Sequence, residues 1–264
     1  MNTLTVLAAG DEFGAPTPDE LFNLPPIIPG VDWFTKPVLL AILAAIIVVV
    51  FCWGAFANPK LVPKGIQNIG EYGYMFVRDQ VARPFLGKDA DKWMGLLLSL
   101  FFLVLVWNLM GVVPLMQFPV ASHIAFPLVL ALSIYILKIY LGFKHQGPIG
   151  YFKNMMFPPG LPKPIYLLLA PIEFLSNMII APFTHAVRLF ANMFAGHMLL
   201  AFFSMVGFWF LFEKLTPLGA SVGVIGVVMT IIFTAFEMFI QFLQAFLFAM
   251  LASMYIGSSL HADH

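Results

Sequence analysis

The chain has 264 residues, of which 61% are hydrophobic and 10% charged, with 13 basic residues balanced by 13 acidic ones and 29 phenylalanines. That composition lies far outside the soluble-domain norm and places the chain among all-α polytopic membrane proteins. Zero net charge without a basic stripe excludes nucleic acid as a partner, and the single cysteine, Cys52, can form no intrachain disulfide.

Residues 1–36 carry Asp11, Glu12, Asp19, Glu20 and Asp32 against one lysine, Lys36, and five prolines between Pro16 and Pro29 discourage regular structure. They read as an acidic, solvated, extracytoplasmic arm, and with no basic n-region before the first apolar run no cleaved signal peptide is expected. Residues 38–56 then run uncharged for 19 residues, close to the ~20 that a helix needs to cross ~30 Å of hydrocarbon. After them come Lys60, Lys64, Arg78, Arg83, Lys88 and Lys92, so the positive-inside rule puts the N-terminus outside and this loop in the cytoplasm. Within the loop, Ile66, Ile69, Tyr72, Met75 and Phe76 follow helical spacing and predict a helix on the membrane surface over about 65–83.

Residues 93–137 hold no Asp, Glu, Lys or Arg, and as one helix would be roughly 67 Å long, about twice the bilayer core. The segment must fold back. Gly111, Pro114, Pro119 and Ser122 mark the turn, giving spans near 93–112 and 124–142, with Lys138 snorkelling to the inner interface and Lys144, His145, Lys153 and Lys163 on the cytoplasmic side. Five prolines and three glycines make residues 147–164 the next break.

The last two segments are too long to stand upright: residues 164–212 carry only Glu173 and Arg188 as fixed charges, and residues 218–260 only Glu237. As helices they would reach roughly 73 and 65 Å, so each either breaks into two spans or runs strongly tilted. Glu213, Lys214 and Pro217 connect them. The total is about five to six membrane helices, and with no soluble-domain boundary or internal repeat, residues 37–264 form a single membrane domain after the arm.

Polar residues inside these runs are the candidates for function. At 100° per residue, Glu173, Asn177, Thr184 and Asn192 fall within about 60° of Arg188, with His185 at the edge of the stripe and His197 pointing about 180° away. On the last segment Thr230, Thr234, Glu237, Gln241, Gln244 and Tyr255 share one line in the same way. Interhelical hydrogen bonds are the ordinary use of such Thr, Asn and Gln residues, at ~0.6 kcal/mol each. Glu237 and Arg188 stand apart, since an ionisable group in mid-membrane defaults to a transport or relay role, and Arg188 has no acid within a helical turn. His185 and His197 face different ways and no cysteine or carboxylate completes a ligand set, so neither haem nor metal is expected. His123, His145, His261 and His264 sit at loops or the terminus and read as solvated. No phosphate loop, nucleophile triad or metal motif is present, so the chain reads as having no active site of its own. An autonomous channel or secondary transporter and an accessory scaffold are the competing classes; the former would carry a complete pathway and often a repeat.

The run Arg188-Leu189-Phe190-Ala191-Asn192-Met193-Phe194-Ala195-Gly196-His197, followed by Glu237 and by Gln244-Ala245-Phe246-Leu247-Phe248, resembles the a-subunit family of the bacterial F-type ATP synthase. Trp107-Asn108-Leu109-Met110-Gly111-Val112-Val113-Pro114 is similar to the end of that family's second span, and the resemblance extends over about residues 38–260. It implies that the last two helices form a long tilted hairpin against a rotor c-ring, which resolves the length problem above. It further implies peripheral-stalk b-type subunits, the rest of the F1Fo complex and the lipid bilayer as partners, protons as cargo, no cofactor, and a bacterial plasma membrane with the C-terminus cytoplasmic. Arg188 falls on the family's essential arginine, Asn192 on its polar neighbour, and Gln244 and Tyr255 on polar positions of the last helix. His197 and Glu237 fall on a pair that many relatives fill in the opposite order, acid first, and the family's relay implies that the two groups lie close together. By the same resemblance Glu237, His197, Asn192 and Gln244, on a seam with Gln241, line an outer half-channel, and Glu173 and Asn177 line the inner one, near His185.

Overall fold

A computed structural model describes residues 13–113, 116–157, 165–213 and 216–260. Asp11, Glu12, Pro114, Lys163, Lys214, His261 and His264, named above, lie outside these residues. Helices are the only regular structure, with no strand among the described residues. A short α1 (Pro18–Phe22) precedes α2 (Lys36–Phe56). Then comes α3 (Ile66–Val77), continued by a π turn at Arg78–Ala82 and a last turn at Arg83–Leu86. There follow α4 (Ala90–Leu109), α5 (Ala125–Gln146), α6 (Pro148–Met156), α7 (Tyr166–Glu213, with π turns at Ser176–Ile180 and Trp209–Glu213) and α8 (Pro217–Leu260). By length and composition five stretches can cross a membrane, α3 and α4 counting as one.

The segment expected at 65–83 is helical but does not lie apart from the bundle. Gly87, at φ +53, turns the chain so that α3 folds back along α4, with Phe76 against Phe101 at 5.7 Å and Gly73 against the Phe102 ring. Its Ile66, Ile69, Tyr72 and Met75 face outward at three-residue spacing, an apolar edge for lipid. Arg78 closes the base through a bidentate pair with Asp91, at 2.8 and 2.9 Å. Residues 148–156, expected as an irregular break, form α6, which Gly147 at φ +71 sets off from α5.

The long segments do not break in two. Proline at 171 and the two π turns are absorbed within a continuous α7, and α8 runs 44 residues without interruption. At 1.5 Å per residue α8 is about 66 Å long, more than twice the ~30 Å of hydrocarbon available. The two helices pack antiparallel in one register: Gly223 lies against Leu211, Gly226 against Gly207, Phe233 against Phe203, Glu237 against Gly196 and Phe248 against His185. That register brings Asn192 level with Gln241, and Arg188 level with Ala245. Small residues set the closest approach, since a Cβ on Gly226 would meet the Gly207 nitrogen at 2.7 Å and its Cα at 2.9 Å. Both are backbone atoms that cannot step aside. Gly226→Leu is therefore expected to splay the hairpin at its connecting end and cost at least ~1–3 kcal/mol, seen as a lower temperature of release from the purified assembly; an unchanged temperature would count against this packing.

Most of the described arm is exposed, as expected of a solvated segment, but its aromatic residues anchor it to the bundle. Phe22 is buried among Leu40, Trp107, Met110 and Phe118, and stacks on Phe194 of α7 at 4.7 Å, while Phe13 reaches Phe202 and Trp209. The reason is composition on a finer scale: the charged residues Asp19 and Glu20 face out as the first turn of α1, and the aromatic side of the same turn pays for its ordering by burial. His123, expected at a solvated loop, instead donates from Nε2 to the Phe22 carbonyl at 3.1 Å and stacks on Phe118.

Candidate functional site

Glu237, Gln241 and Gln244 recur at helical spacing on the buried side of α8, and all three are buried, as their shared line on the sequence anticipated. Glu237 is 4% exposed and its carboxylate faces the gap left by Gly196, where a side chain would stand 3.2 Å from Oε1. Gln241 is fully buried, and its backbone carbonyl accepts from Asn108 Nδ2 of α4 at 3.3 Å. Asn108 escaped notice as a site residue because it lies in the Trp107-Asn108 ending of its span; its burial among apolar helices is the signal. Both Glu237 oxygens, both side-chain polar atoms of Gln241 and Asn108 Oδ1 are without a protein partner among the described residues. They form a column of hydrogen-bonding capacity that no bond of good geometry among the described residues takes up, with the Gln241 amide beside the Glu237 carboxylate. It descends about 10 Å from Glu237 to Gln244, one residue short of the level of Arg188.

Beyond Gln244, toward the C-terminal end of α8, rings pack into the line of the column. His185, 4% exposed, packs edge-on against Phe248 with ring centroids 4.0 Å apart and leans on Tyr255 at 5.8 Å. His185 is thus packed by position, turned into the hairpin, with its Nε2 unpartnered among the described residues.

Arg188 is half-buried, and among the described residues it makes no ion pair with any carboxylate. Its electrostatic neighbours in the chain are His185 and Tyr255. Neither acid of the membrane region reaches it: Glu237 sits at Gly196, two turns further along α7, and Glu173 accepts from Asn177 Nδ2 at 2.9 Å. Arg188 and the half-buried Asn192 border a face of α7 left open by the described residues, where Ala191, Ala195 and Leu199 are exposed at four-residue steps and Thr184 lies two turns before Ala191. Ala191 and Ala195, in a helix otherwise rich in large side chains, leave room for another backbone to come close.

Two expectations need correction. The single polar stripe from Glu173 to Asn192 assumed a straight α-helix, whereas the π turn at Ser176–Ile180 inserts an extra residue and rotates everything before it by about 100°. Asn177, within that turn, has its backbone carbonyl bonded by the Tyr135 hydroxyl of α5 and its side chain on Glu173, while Thr184, after the turn, keeps its phase with Arg188 and is exposed. Second, His197 and Glu237 do not touch. The imidazole faces Phe22 of α1 at 5.8 Å, near Lys36, with Nδ1 unpartnered among the described residues, because it follows Gly196 by one residue and so points about 100° away from it. Lys138, expected to snorkel, is buried instead, between the rings of Tyr135 and Tyr255.

A family model described as ATP synthase A chain matches residues 38–257. The chain is 46% identical to ATP synthase subunit a of Streptomyces lividans over 233 residues, covering 88% of this chain and 82% of that protein. It is 41% identical to the Frankia alni subunit over an alignment of 279 residues (100% and 92% covered) and 40% identical to that of Rhodococcus erythropolis over 266 (99% and 95%).

Proposed function

The chain belongs to the ATP synthase A chain family, and from that premise we propose that it is the stator through which protons reach and leave a rotating ring, with Arg188 as the barrier between two offset half-channels. One observation carries the reading: a guanidinium with no carboxylate partner among the described residues, at the edge of an exposed face lined by Ala191 and Ala195. A permanently charged group among apolar helices needs a counter-charge, because isolation costs it several kcal/mol. A mid-membrane carboxyl on each subunit of a c-ring supplies it. At ~4 Å and an effective dielectric of ~20 the attraction is about 4 kcal/mol, enough to hold the carboxylate ionised while it passes and to release its proton on one side only.

The outer half-channel follows the Glu237, Gln241, Asn108 and Gln244 column, whose unused polar atoms suit bridging water. His197 stands at its outer mouth under the Phe22 lid, joined to Glu237 through water or by movement and not by direct contact. The His185–Phe248 contact stops the column from running on inward. On the inner side Glu173, held by Asn177, faces the cytoplasmic end of the same hairpin. Each proton crossing gains about 2.3 kcal/mol per 100 mV, and that gain turns the ring only if the two paths stay separate. In this reading the N-terminus is outside, the C-terminus is cytoplasmic, α7 and α8 lie tilted against the ring in a bacterial plasma membrane, and the peripheral stalk holds the chain against torque.

The uncovered face gives the direct test. In a Cys52→Ser background, cysteines placed at Ala191 and Ala195 are expected to cross-link to ring subunits in the assembled complex, whereas one at Val49, exposed on α2, is not. Failure of both α7 positions, with cross-linking at Val49, would put the ring elsewhere.

A further inference from the structure

The inner ends of α5, α6, α7 and α8 enclose a cavity of about 600 Å³, separated from the Glu237–Gln244 column by the His185–Phe248 contact. Its polar wall includes Lys138, Gln146, Tyr151 and Asn154; Phe85 and Met254 are part of its apolar wall. No carboxylate lines it among the described residues. Lys138 is 7% exposed, and its ammonium lies 5.1 Å from the centre of the Tyr135 ring and 4.9 Å from that of Tyr255, with no anionic partner among the described residues. Aromatic faces attract a cation but do not neutralise it. Tyr151, 5% exposed, brings a second orphan: its hydroxyl has no partner among the described residues. Beside them Asn154 donates to Gln146 at 3.3 Å, and Gln146 donates to the Ser259 carbonyl at 3.2 Å, a pair of amides fixed at the cavity rim.

A buried ammonium at one cavity and an unpaired phenolic donor in its wall, the hydroxyl itself covered, are costly unless an acceptor-rich anion reaches both. The cavity is far larger than a bare anion needs and lies within the roughly 300–1,000 Å³ of sites for larger organic ligands. Its remaining wall is apolar, as an acyl chain requires. We propose that this cavity binds a phosphate-type anion, the phosphodiester headgroup of an anionic phospholipid, with the phosphate on Lys138 and Tyr151 and the first methylenes along Phe85 and Met254. The site ties together the inner ends of four helices, including both arms of the α7–α8 hairpin, and it borders the inner path proposed above through Asn177, which lines the cavity and holds Glu173. Only its assignment to the inner leaflet rests on that topology.

The test uses the purified, delipidated synthase complex containing this chain, mixed with phosphatidylglycerol, with phosphatidylcholine or with inorganic phosphate. The readouts are bound lipid by native mass spectrometry and the temperature at which this subunit is released. Phosphatidylglycerol is expected to bind and to raise the release temperature, while phosphatidylcholine and inorganic phosphate do neither. Lys138→Gln should weaken that binding about ten-fold, Tyr151→Phe several-fold, and Lys138→Arg little, as the loss of one charge-assisted or one neutral hydrogen bond dictates. Should Lys138→Gln fail to assemble, the contrast between Lys138→Arg and Tyr151→Phe carries the test. Equal protection by inorganic phosphate would overturn the lipid assignment in favour of a free ion. Phosphatidylglycerol binding that ignores both Lys138 and Tyr151 would overturn the site. Neither readout involves proton flux, so failure here is distinct from failure of the half-channel reading.

Discussion

Arg188→Ala is expected to abolish ATP synthesis driven by a proton gradient and ATP-driven proton pumping, and to let protons leak across vesicles that retain the whole complex. The expectation follows from where the guanidinium sits. The Glu237–Gln244 column ends beside it, the inner end of the hairpin begins beyond it, and no acid of its own chain among the described residues neutralises it. Removing about 4 kcal/mol of attraction for a passing carboxylate allows a protonated carboxyl to cross between the two paths, so the gradient dissipates without torque. Lysine does not rescue this function, because a compact ammonium on a flexible stem lacks the planar fork that meets a carboxylate with two hydrogen bonds. Coupled pumping that persists in Arg188→Ala vesicles would refute the assignment.

Glu237→Gln should slow proton flux through the complex by about two orders of magnitude, the lower end of what a positioned proton donor and acceptor contributes. The carboxylate is buried against Gly196 at the head of the column, and glutamine keeps its size and polarity while removing the exchangeable proton. Thr230 provides the control. Its hydroxyl already donates to the Gly226 carbonyl at 2.9 Å, an internal helix bond, so Thr230→Ala is expected to change flux less than two-fold. Flux measured by a pH-sensitive dye after a potassium-diffusion potential separates the two, and equal effects from both substitutions would remove Glu237 from the path.

Much of the fold was readable from the order of apolar runs and prolines. The three upright spans, the turn after Gly111 and the two over-long segments follow from length against the thickness of a bilayer, and they stand at α2, α4, α5, α7 and α8. The buried line of Glu237, Gln241 and Gln244 was legible for the same reason that any uninterrupted helix is: α8 contains no π turn to break the 100° step. The stripe on α7 was not, because a π turn at Ser176–Ile180 leaves no mark in hydrophobicity and shifts Glu173 and Asn177 relative to Arg188. Long-range packing was equally hidden. Phe22 lies in a proline-rich acidic segment, and only its fit between Phe194 and Phe118 explains its burial. Lys138 reads as a snorkelling residue one turn from a helix end until Tyr255, more than a hundred residues away, is seen to cover it. The separation of His197 from Glu237 is a difference of one residue in phase, since Gly196, not His197, faces the carboxylate.

The most direct measurement is a density map of the assembled complex resolved well enough to place side chains around Arg188. The guanidinium is expected within about 4 Å of a carboxylate carried by a ring subunit, across the face marked by Ala191 and Ala195. A guanidinium bonded instead to Glu173 or Glu237 of its own chain, with no carboxylate of another subunit in reach, would contradict the central claim.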